Sequence, residues 1–570
     1  MVILGISCWY HDSAAALLSD GKIVGAAAEE RFSRKKHDYG FPTQAVEWVM
    51  EQGNVKPADI DHVVFYEKPL VKFERILASY ISTAPKSFAA YITAMPLWLR
   101  QKLWFARELR QQAGYTGSVL YCDHHLSHAA GAYLLSPFDD AAVVTLDGVG
   151  EWASTTMGVG EGCHVRLDRE IRFPHSLGLF YSAVTAHLGF KVNNDEYKVM
   201  GLASYGDPAR FRNEMRELLH LHDDGSFELD MRCFAYQYGL AMLSSKGKQL
   251  LGPSREPESE IDQRHCDMSA SLQERLEEAV VAFARAAHAT TGKSRLCMGG
   301  GVALNCVANG RILADTDFED LWIQPATGDD GGSLGAAVWV WNEVLGHNER
   351  ITLDHAYLGP GYSEQEIRAT VAAKGVKFQE LAWEDVPRLA ARLVHENRIV
   401  GWFQGRMEWG PRALGARSIL ANACNPAMKD ILNDRVKHRE DFRPFAPVVP
   451  VENMTEYFDL PIESPYMLLI GDVKPDKRDV IPAVTHTDGT ARPQSVRRET
   501  NPLYYDVMRE FERITGVPVI INTSFNVRGE PIVCTPEHAY RCFAGTGIDD
   551  LVIGRCWIRK EDIEDGSAHQ

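Results

Sequence analysis

"VILGISCWYHDSAAALLSDGKIVGAAAEE" (residues 2–30) decides the fold. An apolar run at 2–7 leads into a polar turn, a second run at 13–19, an Asp20-Gly21 hairpin signal and a third run at 22–28. The same layout returns in "AAVVTLDGVGEWASTTMGVGEGCHVRLDREI" (141–171). There the strands are predicted at 141–146, 153–159 and 164–171, with Asp147-Gly148 in the first turn. Both first turns carry an acid, Asp12 and Asp147. The matching offsets predict a duplicated three-strand meander.

A duplicated meander with a polar first turn is the plan of the actin, Hsp70 and sugar-kinase superfamily, which holds phosphates in the cleft between its halves. The expected fold is therefore α/β, with an actin-like first part. The rest of the chain sets limits on this. With 570 residues there is room for two to four domains. A net charge of −17 makes general binding of nucleic acid or an anionic membrane unfavourable. The most apolar stretch, "SFAAYITAMPLWL" (87–99), is too short to span a bilayer and is broken by Pro96. No basic, cleavable leader is expected at the start, which runs straight into a strand-like pattern. Eleven scattered cysteines, with no CxxC pair, read as reduced thiols of a cytoplasmic protein.

Farther along, "SLQERLEEAVVAFARAAHATTG" puts Leu272, Leu276, Val280, Phe283 and Ala287 on one helical face, with Gly292 as its stop. A short strand then runs into Gly299, Gly300 and Gly301 and a predicted helix. This pattern lets backbone amides approach an anion, and it equally suits a tight strand-to-helix turn. A boundary is predicted near 350–363, where Gly-Pro-Gly precedes a capping box at Ser363 and Glu366, dividing the chain into 1–355 and 356–570. Beyond it arginines crowd Gly- and Pro-rich loops (Arg406, Arg412, Arg417, Arg435, Arg439, Arg443, Arg492, Arg497, Arg498 and Arg528). Arginine in that setting suits bidentate phosphate or carboxylate contacts.

"CDHHLSHAAGAYL" (122–134) places His124 and His128 four apart, on one face of a helix. Two such imidazoles can share a metal, although a helix start with surface histidines has the same spacing.

Seven blocks resemble the NodU/CmcH-type O-carbamoyltransferases, the family of the antibiotic carbamoyltransferases. They are "HDSAAALLSDGKIVGAAAEERFSRKKHD", "NNDEYKVMGLASYG", "GGGVALNCVANGRI", "GDDGGSLGAA", "MEWGPRALGARSILA", "VKHREDFRPFAP" and "NTSFNVRGEPIVCTPEHA", running from about residue 11 to 539. The resemblance implies an actin-like first domain (1–355), similar to the tRNA threonylcarbamoyl-transferases. It implies a YrdC-like α/β second domain (356–570) that makes the carbamoyl adenylate. Carbamoyl phosphate and ATP with Mg²⁺ would give carbamoyl-AMP, whose carbamoyl group passes to the hydroxyl of a small-molecule, natural-product acceptor.

The resemblance also implies the roles of single residues. His124, His128 and Asp147 would hold iron, or alternatively manganese, and of the pair in "GDDGG" Asp330 matches the fourth ligand. His125 would lie beside them or face solvent. Gly299, Gly300, Gly301, Asn305 and Asp12 would meet the nucleotide. His11 would be the general base toward the acceptor, as a neutral imidazole near its ordinary pKa, with Lys36 in the same cleft. Arg412, Lys437, Arg443 and Arg528 would hold the anionic substrates. Aromatics at 68–112 (Phe73, Tyr80, Phe88, Tyr91, Trp98, Trp104, Phe105) are expected in a helical insertion on the acceptor side, or simply in a core. No nucleic-acid or membrane partner is expected, and a homodimer is possible on this reading. An actin-like ATPase or sugar kinase explains the meanders but not the histidine pair or the arginine loops. A tRNA threonylcarbamoyl-transferase fits the charge poorly. Carbamoylation of a protein cysteine in hydrogenase maturation is disfavoured by the lack of CxxC, and a non-catalytic metal-storage or scaffold role leaves the phosphate motifs unexplained.

Overall fold

β1 (Val2–Ser7), β2 (Ala14–Ser19) and β3 (Lys22–Ala28) form an antiparallel meander. Asp20 and Gly21 both take positive φ, as a two-residue hairpin that follows strand twist requires. β4 (His62–Phe65) and β5 (Val119–Tyr121) extend the sheet in parallel on the other side of β1, giving the order β3-β2-β1-β4-β5. The second copy is built alike. β6 (Asp140–Leu146), β7 (Ala153–Glu161) and β8 (His164–Arg172) form the meander. After a small hairpin of β9 (Leu219–Leu221) and β10 (Phe227–Leu229), β11 (Arg295–Gly299) and β12 (Asp320–Ile323) join in parallel, in the order β12-β11-β6-β7-β8. The duplication read from the two turns is thus a duplication of topology, and it is the actin-like plan.

The computed structural model describes residues 1–438, 440 and 442–564. They form two compact units. The first is Met1–Glu29 with His37–Leu353; the second is Glu30–Lys36 with the chain from Asp354 onward. A single cut at 355/356 therefore gives way to a boundary at Leu353/Asp354 and an excursion of Glu30–Lys36. The excursion has a physical cause. Arg31 donates to Gly410 O (2.8 Å), and Arg34 donates to Ile532 O and Pro531 O (both 2.7 Å). Phe32 packs against the apolar group of Met407, Ala413, Ile532 and Cys534. These partners are hundreds of residues away in sequence.

In the first unit two helices are pressed onto each other. The helix His124–Tyr133 meets the helix Asp329–Trp339 at Gly335, where a Cβ would stand 2.0 Å from Ser127 O. The latter helix also abuts β1 at Gly5, where a Cβ would stand 1.9 Å from Ser333 O. Glycine is the side chain that permits such backbone approach, and the approach brings the acidic start of one helix beside the histidines of the other. The 68–112 stretch is helical, as one of its two expected readings has it, at Pro69–Ser82, Phe88–Leu97 and Phe105–Ala113. Its aromatics divide. Phe105 is fully buried and stacks on Phe65 at 4.1 Å, whereas Phe88 and Trp104 are exposed. The long helix is Gln263–Thr291, closed by Gly292 in the left-handed conformation. After the glycines, a 3₁₀ turn (Gly301–Leu304) precedes the α-helix Cys306–Asp315, a later start than predicted.

The second unit contains an eight-stranded mixed sheet. Arg417–Ala421 runs antiparallel to both Val400–Phe403 and Ile520–Ser524, and Val400–Phe403 runs parallel to Asp550–Ile553. The helices Asp385–His395 and Pro502–Thr515 supply apolar side chains to a core that includes Trp402, Leu420, Phe511 and Val552. Ser363 and Glu366 form the predicted capping box. All eleven cysteines are free. Among the described residues, no helix is long and apolar enough to cross a membrane.

Candidate functional site

His124, His128, Asp147 and Asp329 meet in the interior of the first unit. Each offers a donor atom, and the four atoms lie within 4.8 Å of one another. His124 Nε2 is 3.0 Å from Asp147 Oδ2 and 3.2 Å from His128 Nε2. Asp329 Oδ1 is 3.8 Å and 3.6 Å from the same two nitrogens. The histidines come from one face of a helix, Asp147 from the turn after β6, and Asp329 from the first residue of the helix pressed against the histidine helix. This corrects the expectation of Asp330. One residue along a helix rotates the side chain by about 100°, and Asp330 Oδ1 instead accepts from Gly331 N (3.0 Å).

Surrounding groups hold these donors. Tyr66 OH donates to Asp329 Oδ2 (3.2 Å), Gly301 N donates to Asp147 Oδ1 (2.9 Å), and Glu151 accepts from His124 N (3.1 Å). Glu67 Oε2 stands 3.9 Å from His124 Nδ1. Burial opposes the charged form of His124, but Asp329 and the bond to Asp147 outweigh it, and its pKa is pushed up to about 9. Burial works against the Asp147 carboxylate too, yet the bond from His124 and the neighbouring imidazoles hold it well below the usual range. His125 is neither a ligand nor solvent-facing. It is buried, its Nδ1 is 2.6 Å from Thr145 Oγ1 and its Nε2 is 2.9 Å from Ala153 O. Burial and the field of His124 pull its pKa down to about 3.

The donor set passes a chemical test for a cation. Two Nε2 atoms face each other, and Asp329 Oδ1 is buried without a hydrogen bond. Two imidazoles with two carboxylates suit a first-row divalent ion better than a thiolate-type zinc site.

Asp12 sits in the first turn with φ of +52° and links two imidazoles. Its Oδ2 is 2.9 Å from His11 Nδ1 and its Oδ1 is 2.7 Å from His37 Nδ1. Burial lowers the pKa of His11, but Asp329 and Asp12 overcome this and push it up to about 10. That direction departs from the expected imidazole near its ordinary pKa. Asn305 is used locally: it caps the helix Cys306–Asp315 and exchanges amide hydrogen bonds with Gln273 (3.0 Å each). Gly299 ends β11, Gly300 has φ of +92°, and Gly301 meets Asp147 as above. Lys36 lies in the segment that counts with the second unit.

In the second unit, two of the four expected cations, Arg443 and Arg528, meet on one carboxylate. Lys437 is buried and donates to Asn526 Oδ1 (3.0 Å), Asn526 O (3.1 Å) and Ser524 O. Arg443 and Arg528 reach opposite oxygens of Glu440, each at 3.5 Å. Arg412 lies in a loop whose shape is set by Glu408. One oxygen of that buried carboxylate accepts from Leu414 N (2.7 Å), Ala416 N (2.8 Å) and Arg417 N (3.1 Å). Arg417 is not a ligand-facing arginine. It is fully buried, donates to Gln404 O and Pro360 O, and stacks 3.6 Å from the Phe403 ring. Arg439 lies outside the described residues. Sequence reasoning missed Asp329, Tyr66, Glu67, Glu151, His37 and Glu408. The one usable signal was "FYE" (65–67) at the carboxyl end of a parallel strand, where α/β folds place functional groups.

Residues 2–338 match the family model described as "Carbamoyltransferase N-terminus", and residues 391–560 match "Carbamoyltransferase C-terminus". An uncharacterized protein of Synechocystis sp. is 46% identical, over 97% of this chain and 95% of that protein. Nodulation protein NolNO of Sinorhizobium fredii is 38% identical, over 96% of this chain and 79% of its own length. The 3'-hydroxymethylcephem-O-carbamoyltransferase of Streptomyces clavuligerus is 31% identical, over 64% and 65%.

Proposed function

The chain belongs to the carbamoyltransferase family, and from that premise we propose a two-step, ATP-dependent transfer of a carbamoyl group to the hydroxyl of a small natural-product acceptor. In the first step water hydrolyses carbamoyl phosphate to carbamate and phosphate, and a carbamate oxygen then attacks the α-phosphorus of ATP·Mg²⁺, so that pyrophosphate leaves and carbamoyl-AMP forms. In the second step the acceptor oxygen attacks the carbamoyl carbon, AMP leaves, and the hydroxyl proton passes to a base.

The first step belongs to the second unit. The observation that carries this reading is the pair Arg443 and Arg528, which reach opposite oxygens of Glu440, with Lys437 assigned to the same task by its place in the family motif. Carbamoyl phosphate and ATP repel each other. A cluster of fixed cations offsets that repulsion and stabilises charge as it moves onto the leaving group. Arg412 is assigned to the same task by its loop. An actin-like kinase has no need of these groups.

The second step belongs to the first unit. His124, His128, Asp147 and Asp329 would hold a first-row cation, iron(II) in the first instance and manganese(II) as the other candidate. Such an ion, when bound, supplies charge neutralisation and orientation for phosphate oxygens. Gly299, Gly300 and Gly301 are assigned to the nucleotide through their backbone amides; the lack of a Cβ also lets Gly299 and Gly300 pack against the backbone of His128 and Leu146. His11 is the acceptor-side base. Its Nδ1 is taken by Asp12, so Nε2 is the nitrogen available to a hydroxyl. A cation held by Asp147 and Asp329 would offset the negative field that raises the His11 pKa, and so move it toward a range useful for general-base work.

Arg443→Ala tests the division of labour. The variant should release no pyrophosphate with ATP and carbamoyl phosphate, yet still carbamoylate an acceptor when supplied with carbamoyl-AMP. Loss of both activities in a folded variant would overturn the assignment of separate steps.

A further inference from the structure

Four arginines of the described chain are buried: Arg31, Arg75, Arg255 and Arg417. Arg31 pairs with Glu30 and donates to Gly410 O, Arg255 donates to Glu256 O, and Arg417 donates to several carbonyls. Arg75 differs. Only 6% of it is exposed, and its side chain makes no hydrogen bond and no ion pair among the described residues; its Nε, like those of Arg255 and Arg417, is buried without a partner. The Phe173 ring lies 4.8 Å from its guanidinium carbon. A guanidinium largely removed from water without an oxyanion is costly.

The nearest carboxylates are already engaged. Glu67 pairs with Lys72, and Glu151 accepts from the backbone of Lys68 and His124. Arg75 stands three residues after Lys72 on the helix Pro69–Ser82, so the two share a face. Lys72 Nζ lies 4.9 Å over the Tyr10 ring, and the His11 ring follows at 4.8 Å from that of Tyr10. The unpaired guanidinium therefore belongs to the wall beside the His11 turn, on the side of the helical insertion.

We propose that Arg75 is the recognition residue for an oxyanion carried by the acceptor, so that the alcohols this enzyme uses are acidic ones bearing a carboxylate or phosphoester. The planar fork of arginine binds either group through two parallel N–H···O bonds, and the Phe173 ring beside it suits an acceptor with an apolar or ring-bearing body. The proposal deepens the carbamoyl-transfer reading and rests on it for the identity of the ligand as an alcohol.

The test needs no turnover. Binding of 4-(hydroxymethyl)benzoate and of 4-(hydroxymethyl)benzamide to the full chain is compared by ligand-observed NMR, with inorganic phosphate as a third probe. The acid should bind at least tenfold more tightly than the amide. Arg75→Met should erase that difference while phosphate affinity stays the same, and should melt at the same or a higher temperature, since it removes an unpaired buried charge. Arg75→Lys, which keeps the charge without the fork, should show an intermediate preference. Equal binding of acid and amide by the parent, or no binding of either, would overturn the proposal. So would a preference that survives in Arg75→Met or a lowered melting temperature for that variant. Parallel loss of phosphate and benzoate would assign Arg75 to the donor's phosphate instead. If pyrophosphate release fails in the parent while the acid preference holds, the carbamoyl-transfer reading falls and the oxyanion site stands.

Discussion

Asp329 Oδ1 lies 3.6 Å from His128 Nε2 and, although fully buried, makes no hydrogen bond among the described residues. Its neighbour Asp330 turns its carboxylate to its own backbone. The two aspartates therefore make different predictions. Asp329→Asn should lower bound metal about tenfold or more, in line with the loss of a charged donor. Asp330→Asn should keep it. Metal content of both folded variants, measured by mass spectrometry after identical purification, decides the fourth ligand.

The Asp12 carboxylate touches both His11 and His37 and raises the pKa of His11. Replacing it by Asn removes the charge that favours the imidazolium, so the pKa of His11 should fall. In single-turnover transfer from supplied carbamoyl-AMP, the acid limb of the pH profile should move to lower pH in Asp12→Asn, with a rate loss of about 10²-fold at the plateau from a mis-held base. A limb that does not move would separate Asp12 from the proton transfer.

Glu408 accepts three backbone N–H groups from the loop that carries Arg412. Glu408→Ala leaves those donors without their charged acceptor inside the protein. The expected cost is about 2–4 kcal/mol of stability. Pyrophosphate release should fall as well, because the loop loses its shape. Chemical denaturation of the variant gives the first quantity. A change below about 0.5 kcal/mol would mean that the loop is held by other contacts.

His187 is buried, with Nδ1 3.0 Å from Ser254 Oγ, and burial draws its pKa down to about 4. His486 and His538 are drawn down to about 4 by the same cause. For each, the unfolded chain takes up a proton near pH 6.5 that the folded chain refuses until about pH 4. Stability is therefore complete above pH 6.5 and is lost as the pH falls from there toward 4, by up to about 1.4 kcal/mol per pH unit for each group. Thermal melts across this window should show the loss, and His187→Gln, which can keep the bond to Ser254, should make it shallower.

Local sequence was sufficient for whatever is dictated by neighbours along the chain. The two meanders, the Asp20-Gly21 hairpin, the stop at Gly292 and the capping box at Ser363 follow from strand alternation, positive-φ turns and unsatisfied helix ends, and all of these are short-range. The spacing of His124 and His128 likewise fixed a shared helix face. What the sequence by itself could not determine is which distant groups meet. Asp329 rather than Asp330 faces the histidines because Gly335 and Gly5 let two helices and a strand approach backbone to backbone, and that approach sets a rotation which composition does not encode. Glu30–Lys36 counts with the second unit because Arg31 and Arg34 find carbonyls hundreds of residues away. Arg417 and Arg75 read alike as arginines; tertiary burial alone made one a structural cation with its carbonyls in place and left the other without a partner. Side-chain identity and short-range spacing are written in the chain, but pairing and desolvation arise only when the packed structure excludes water, and those two quantities decide which charged groups hold the fold together and which are left to act on a ligand.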